Sequence, residues 1–172
     1  MSEILNQCYL AGMAIMNLVF NIFSTFLLFI METTDSLLKK YKRHRIIKDR
    51  ITNEAYLERY YLFLKDRQDF PFNIFLHKFL KSDPDDLHDH PWDYFTFILR
   101  GGYYEHTPKG KTWRRPFTFK CGKATDLHRI ELDPDVPDCW TLFIPMKKKR
   151  EWGFKKDGEW INNEEYQEIK KR

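Results

Sequence analysis

The sequence predicts an all-β domain, a sandwich or a barrel, that follows an N-terminal helical extension. After residue 56, about six to eight short apolar or aromatic runs recur at intervals of roughly 8–15 residues, bounded by Pro, Gly or Asp clusters. Aromatic residues make up 17% of the 172-residue chain, and their side chains favour strands and large packed cores. No second helical pattern is expected after residue 70. These observations favour consecutive strands over alternating helices and strands.

The N-terminal segment carries no charged side chain from Tyr9 to Ile30. A helix of this length spans roughly 30 Å, the thickness of the hydrocarbon core of a bilayer. The basic residues that follow would keep the rest of the chain on the cytoplasmic side. The protein is therefore expected in the cytoplasm, or anchored in a membrane through residues 9–30 with its β domain facing the cytoplasm. Two alternatives stay open: a buried core helix, or a start at Met31 that makes residues 1–30 an over-extended reading frame.

Four segments are predicted in order along the chain. Residues 1–30 form the hydrophobic segment, and residues 31–55 form a basic helical linker, with its helix over 34–50. Residues 56–163 form the β domain, although 53–65 fit a helix or a first strand equally well. Residues 164–172 form a charged, frayed tail. Strands are predicted within Phe72–Phe79, Tyr94–Leu99, Trp113–Lys120, Asp126–Leu132 and Trp140–Met146, and in a hairpin around Asp157-Gly158.

Charge and cysteine content exclude several functional classes. The net charge is +4, and most of the excess lies in residues 1–50, so the β domain is nearly neutral and no nucleic-acid partner is expected. Three cysteines at uneven spacing do not form a disulfide framework or a cysteine-rich zinc site, and they fit a reducing compartment. Neither a Gly-x-Ser-x-Gly motif nor a phosphate-cradling glycine loop occurs.

Three histidines are the candidate metal ligands. His88 and His90 are two residues apart, so in a strand they project to the same face and can share one divalent ion. His128 lies on a later predicted strand, where alternation places it with Asp126 and Ile130. Three neutral imidazoles leave open positions on an ion, as catalysis requires. The pattern therefore predicts a three-His metal site inside the mouth of a barrel.

These residues resemble the motifs of the cupin superfamily. Its first motif places a His-x-His pair and then a Glu between two glycines, and its second motif supplies one further His. The matching residues are His88, His90, Gly101 or Gly102, and His128. The His-Asp-His-Pro-Trp run at 88–92 is similar to the mark of small single-domain cupins of bacteria and phages. The resemblance covers roughly residues 56–161 and implies a double-stranded β-helix, the cupin jelly-roll barrel.

The sequence departs from the cupin motif at one ligand position. Where the motif has Glu, this chain has Tyr94 and Phe95. The expected site is therefore three histidines, with Asp93 or Glu105 as an optional fourth ligand or as the acid or base of a reaction.

A three-His cupin site resembles those of thiol dioxygenases and other non-haem iron oxygenases. The resemblance favours one Fe2+ ion, with Zn2+, Mn2+ or Ni2+ as alternatives because imidazole suits several of these metals. Two further functions stay open, a metal-dependent isomerase or epimerase of a sugar or keto acid, and a non-catalytic ligand-binding or structural module. The expected partners are a small-molecule ligand and, because cupins often pair through their sheets, a second copy of the chain.

Four other side chains have two interpretations each. His77 is either a satisfied strand histidine or a residue that points into the barrel near the metal. Asp89 either orients a ligand imidazole or is an exposed turn acid. Arg129 is expected in an ion pair with Glu131 or Glu151 rather than as an anion clamp, and His106 is expected in solvent.

Overall fold

The computed structural model describes residues 2–49, 52–67, 69–83, 86–136 and 138–171, and it divides into two units, Met1–Lys42 and Arg43–Arg172. The first unit is helix α1, Ser2–Lys40. By length and composition, its segment Tyr9–Lys40 can cross a membrane, with a mean hydropathy of 2.1 in its most apolar window and none of that window buried. The core helix of a soluble protein or a signal sequence passes the same test, so the helix is weak evidence for an anchor.

The second unit is β-rich, as predicted. Its strands are β1 His44–Lys48, β2 Ala55–Tyr61, β3 Phe75–Phe79, β4 Leu87–His88, β5 Tyr94–Arg100, β6 Tyr103–Thr107, β7 Gly110–Arg114, β8 Phe119–Gly122, β9 Arg129–Glu131, β10 Cys139–Pro145, β11 Gly153–Lys156 and β12 Glu159–Asn162, and helix α2 covers Asn163–Lys171. They form a six-stranded sheet in the order β1-β2-β3-β10-β5-β8 and two three-stranded sheets, β12-β11-β4 and β7-β6-β9. Over the described residues these sheets do not close into one continuous barrel.

The helix expected over 34–50 is wrong in its second half. Helix α1 ends at Lys40, and Lys42 then takes a positive φ of 53°. Residues 44–48 form β1, which pairs antiparallel with β2. The β-branched pair Ile46-Ile47 suits a strand, and the backbone groups of β1 find partners in β2. The β-rich unit accordingly begins at Arg43, within the segment predicted as linker, and the ambiguous residues 53–65 contain strand β2.

The expected frayed tail is instead helix α2. The side-chain oxygen of Asn162 accepts a hydrogen bond from the Glu164 N–H at 2.9 Å, which caps the first turn. Tyr166 is fully buried, and its ring stacks on Phe154 with centroids 4.0 Å apart. This one aromatic contact fixes the helix on β11, and a single tyrosine among charged residues gives too weak a periodic signal to predict it.

The inner face of the six-stranded sheet follows the two-residue period of a strand. Alternate residues of β2, β3 and β10 face a common cavity: Leu57 and Arg59, His77 and Phe79, Thr141 and Phe143. Arg59, His77 and Thr141 lie opposite one another in register, so they form a polar row across this apolar face. His88 lies on β4 of one small sheet, His90 lies in the loop after it, and His128 immediately precedes β9 of the other small sheet. Residues in and beside these two sheets complete the cavity lining.

Candidate metal centre

His88 and His128 are brought together by their own backbones. The N–H of each donates to the carbonyl oxygen of the other at 2.9 Å, which makes an isolated antiparallel bridge between the two small sheets. Side chains opposite each other across such a pair lie on one face, and the two rings are 4.9 Å apart by their centroids.

His90 completes a compact group. One ring nitrogen from each of His88, His90 and His128 lies within 4.8 Å of the others. The Nε2 atoms of His90 and His128 are 2.8 Å apart. Two imidazole nitrogens bound to one ion at 2.0–2.1 Å are separated by about 3 Å, so this spacing fits a shared ion. The predicted histidines therefore meet as expected.

Burial also suits the His90 ring to metal binding. The pKa of His90 is lowered well below its ordinary value, first by burial and then by the neighbouring His128 and His88. A neutral imidazole keeps the lone pair that binds a metal.

Glu105 orients His128. Its Oε1 accepts a hydrogen bond from Nδ1 of His128 at 3.1 Å, so the other ring nitrogen, Nε2, turns toward His90. Arg114 donates to Oε2 of the same carboxylate at 2.8 Å through Nε, and Lys120 donates to Oε1. Burial alone raises the pKa of Glu105, but the hydrogen bonds from His128 and Lys120 outweigh it and hold the pKa well below its ordinary value. Glu105 is thus a buried carboxylate that fixes the tautomer of a ligand, an arrangement common around metal sites.

Asp93 holds the loop that carries His90. The N–H of His90 donates to the Ala124 carbonyl at 3.1 Å, and the Ala124 N–H donates to Oδ1 of Asp93 at 2.9 Å. Oδ2 of Asp93 pairs with Lys149 at 2.7 Å. The hydrogen bonds from Lys149 and Ala124 lower the pKa of Asp93. Neither Asp93 nor Glu105 is in the three-His group, and a catalytic role for either stays a prediction.

Asp89 fits neither of its two interpretations. It is 2% exposed, so it is not an exposed turn acid. Its Oδ1 accepts from the Gly153 N–H at 2.7 Å, and its Oδ2 accepts from the Trp160 indole at 2.9 Å and from Arg150. Asp89 therefore anchors the His88–His90 segment to the β11–β12 hairpin. Its position between two candidate ligands suggested a contact with imidazole, whereas its hydrogen bonds with Gly153, Trp160 and Arg150 turn it the opposite way.

A cavity of about 350 Å³ opens beside the three histidines. His77 lines it and is also hydrogen-bonded within the sheet, because Arg59 Nε donates to His77 Nε2 at 3.0 Å. Burial, and next the charge of Arg59, lower the pKa of His77 well below its ordinary value. Both interpretations of His77 therefore hold together.

Of the predictions for Arg129 and His106, the first is confirmed and the second is wrong. Arg129 pairs with Glu131 at 3.4 Å, as expected. His106 is half-buried and lies 2.6 Å from the same Glu131 carboxylate, so the expectation of a solvated ring is wrong. The register that aligns β6 with β9 brings these side chains together.

Sequence reasoning missed three cavity residues. Arg59 lies in a segment whose secondary structure was ambiguous, so its orientation could not be assigned. Trp92 and Tyr94 also line the cavity, and their polar atoms, Nε1 and the hydroxyl, are buried without a hydrogen-bond partner in the described part of the chain. Tyr94 occupies the position where the cupin motif has Glu. This departure from the motif was the signal that could have identified Tyr94 as a cavity residue.

Comparisons with known proteins concern the fold of the chain. Neither a family model nor a curated protein matches the sequence. A sugar phosphate isomerase of the cupin superfamily from Silicibacter pomeroyi has a TM-score of 0.53 and 12% identity, covering 70% of this chain and 88% of its own. A cupin-2 domain protein from Rhodospirillum rubrum has a TM-score of 0.52 and 10% identity, covering 75% and 81%. The chain has a cupin-like fold.

A third similar structure is HppE in its iron(II) form, with a TM-score of 0.49 and 14% identity. The alignment covers 61% of this chain and only 57% of HppE. All three similarities concern the fold alone. The narrower resemblance to cupins with a His-Asp-His-Pro-Trp run stays a prediction.

Proposed function

We propose that this protein is a metal-binding cupin in which His88, His90 and His128 hold one divalent ion, with Fe2+ preferred. The observation that carries the proposal is the convergence of three imidazole nitrogens within 4.8 Å beside a cavity of about 350 Å³. A backbone bridge links His88 to His128, and a buried carboxylate supports His128, which is more support than unrelated surface histidines need.

The chemistry proposed for the site is that of a mononuclear oxygenase. A divalent ion on three imidazoles keeps open positions for a small molecule, and with iron it supplies oxygenase chemistry. The chain supports this centre in two ways. Glu105 holds the Nδ1–H of His128 so that Nε2 remains available for the ion. Apolar cavity residues such as Phe143 and Phe154 limit the access of water.

Metal analysis of the full-length chain, purified in mild detergent, tests the proposal. We expect about one equivalent of iron per chain in the wild type and in His106→Ala, which removes a histidine outside the group. His128→Ala should lose the metal while it still unfolds cooperatively. If folded wild-type protein neither carries nor takes up a divalent metal, the proposal is wrong.

The metal and its activity separate the three functional classes. Oxygen uptake by the iron-loaded protein with a small-molecule substrate supports the oxygenase. A metal-dependent isomerase or epimerase turns over a sugar or keto acid without oxygen. A metal that raises thermal stability, with no turnover in either assay, indicates the binding or structural module.

We also propose that α1 anchors the protein in a membrane, with the β-rich unit in the cytoplasm. The support is composition: Tyr9–Ile30 has no charge, and basic residues from Lys39 onward follow it.

A further inference from the structure

Arg59 is a partly buried cation on β2 that lines the same cavity as the three histidines. Its Nε donates to His77, its guanidinium carbon lies 4.7 Å from the centroid of the Phe75 ring, and the neutral Tyr61 hydroxyl is a further hydrogen-bond partner. In the described ranges, no Asp or Glu forms an ion pair with it. Because a cation drawn out of water is normally paired with an anion, the guanidinium leaves a position for one.

The nearby charges strengthen this conclusion. Arg45 stands opposite Arg59 in the register of β1 and β2, which adds a like charge. Two carboxylates line the cavity, and both are engaged by other groups. Asp83 accepts from the Ile130 N–H at 2.6 Å and from the Tyr56 hydroxyl, and Asp49 accepts from the Thr52 N–H at 3.0 Å.

Arg59 offers the cavity a side chain that can only donate hydrogen bonds. A ligand group that satisfies the guanidinium must therefore offer acceptor oxygens.

We propose that the cavity binds its small-molecule ligand through an oxyanion, a carboxylate, phosphonate or phosphate, which Arg59 receives. The planar guanidinium matches such groups with two parallel hydrogen bonds. A cavity of about 350 Å³ accommodates a small metabolite. This inference rests on the proposed function, since it assigns a ligand class to the same cavity.

Titration of the full-length chain in mild detergent, with metal removed by a chelator and the chelator dialysed away, tests the proposal. The probes are propionate, methylphosphonate and the neutral propionamide. Binding is measured by calorimetry and by the tryptophan fluorescence of the chain, to which Trp92 and Trp152 in the cavity lining contribute. We expect at least one of the acids to bind about 10-fold more tightly than propionamide. The tighter acid identifies the oxyanion as a carboxylate or a phosphonate.

Two variants assign that preference to Arg59. Arg59→Met should bind acid and amide with affinities within about 2-fold of each other, because it keeps the stem without the charge. Arg45→Met, at an exposed neighbouring cation, should retain the preference. If Arg59→Met fails to fold, Arg59→Gln, which keeps a donor for His77, should show the same loss.

Two results overturn the proposal: wild-type protein that binds acid and amide equally, or a folded Arg59 variant that keeps the preference. Because the titration uses metal-free protein, failure of the metal site does not affect it. Metal content of Arg59→Met should equal that of the wild type. Wild-type protein that binds metal but shows no preference for the acids over propionamide therefore refutes only this inference.

Discussion

Glu105 and His128 form the most informative contact of the candidate site. The carboxylate accepts from Nδ1 of His128 at 3.1 Å and is itself held by Arg114 and Lys120. Glu105→Gln replaces a charged acceptor with a neutral amide, so the imidazole becomes a weaker and less ordered ligand. We expect metal affinity to fall about 10–100-fold.

A competition titration against a chromophoric chelator measures this change. Glu131→Gln is the matched control, since Glu131 contacts His106 outside the three-His group. That variant should bind metal as the wild type does. Equal affinity in both variants would show that Glu105 does not support the metal centre.

Asp89 should contribute to stability rather than to catalysis. An Asn at this position still accepts from the Gly153 N–H, but its NH2 group then faces the Trp160 indole and the Arg150 guanidinium, which are both donors, so these contacts at a buried site are lost. We expect Asp89→Asn to lower the free energy of unfolding by about 2–3 kcal/mol. Urea denaturation measures it, with Asp157→Asn in the exposed β11–β12 turn as a control near zero. A stability loss of similar size in both variants contradicts the anchoring role.

His77 makes stability depend on pH. Burial and the charge of Arg59 keep its pKa well below the ordinary value in the folded state. As pH falls below about 6.5, the unfolded chain binds a proton at this position and the folded chain does not. The free energy of unfolding therefore decreases toward acid, by up to about 1.4 kcal/mol per pH unit for one proton.

His77→Gln removes this titration and keeps a carbonyl oxygen that accepts from Arg59. Unfolding of metal-free wild-type and variant proteins should be compared between pH 8 and pH 5. We expect a smaller decrease in the variant over the acidic part of this range. Parallel pH profiles would mean that His77 is not held neutral in the folded protein.

The anchor proposal predicts the effect of charge within α1. Val19→Arg and Ile22→Arg together place two charges near the centre of the segment, each costing about 2.5–3.5 kcal/mol in a bilayer. The doubly substituted chain should shift from liposomes to the soluble fraction in a flotation assay. Glu32→Arg, outside the apolar segment, should float as the wild type does. Wild-type protein that stays soluble with liposomes present refutes the anchor.

The strand-rich fold and the three candidate ligands could be predicted from sequence because they depend on local signals. Aromatic runs of strand length ended by Gly or Pro predicted most of the observed strands. The His-x-His spacing indicated that His88 and His90 act together, although β4 ends at His88 and His90 lies in the following loop. Gly101 and Gly102, both at positive φ, mark the turn between β5 and β6 as expected. The end of α1 and the existence of α2 were missed because β2 and Phe154, distant in sequence, supply the deciding contacts.

The sequence by itself determined a β-rich, cupin-like chain with an apolar N-terminal helix and a set of three candidate ligands. Only the tertiary structure decided what surrounds those ligands. Glu105 reaches His128, Asp89 turns away from the ligands, and Arg59 enters the cavity through strand pairings that join distant segments. Local patterns specify which face of a strand a side chain occupies. The register and packing of distant strands decide what that face meets.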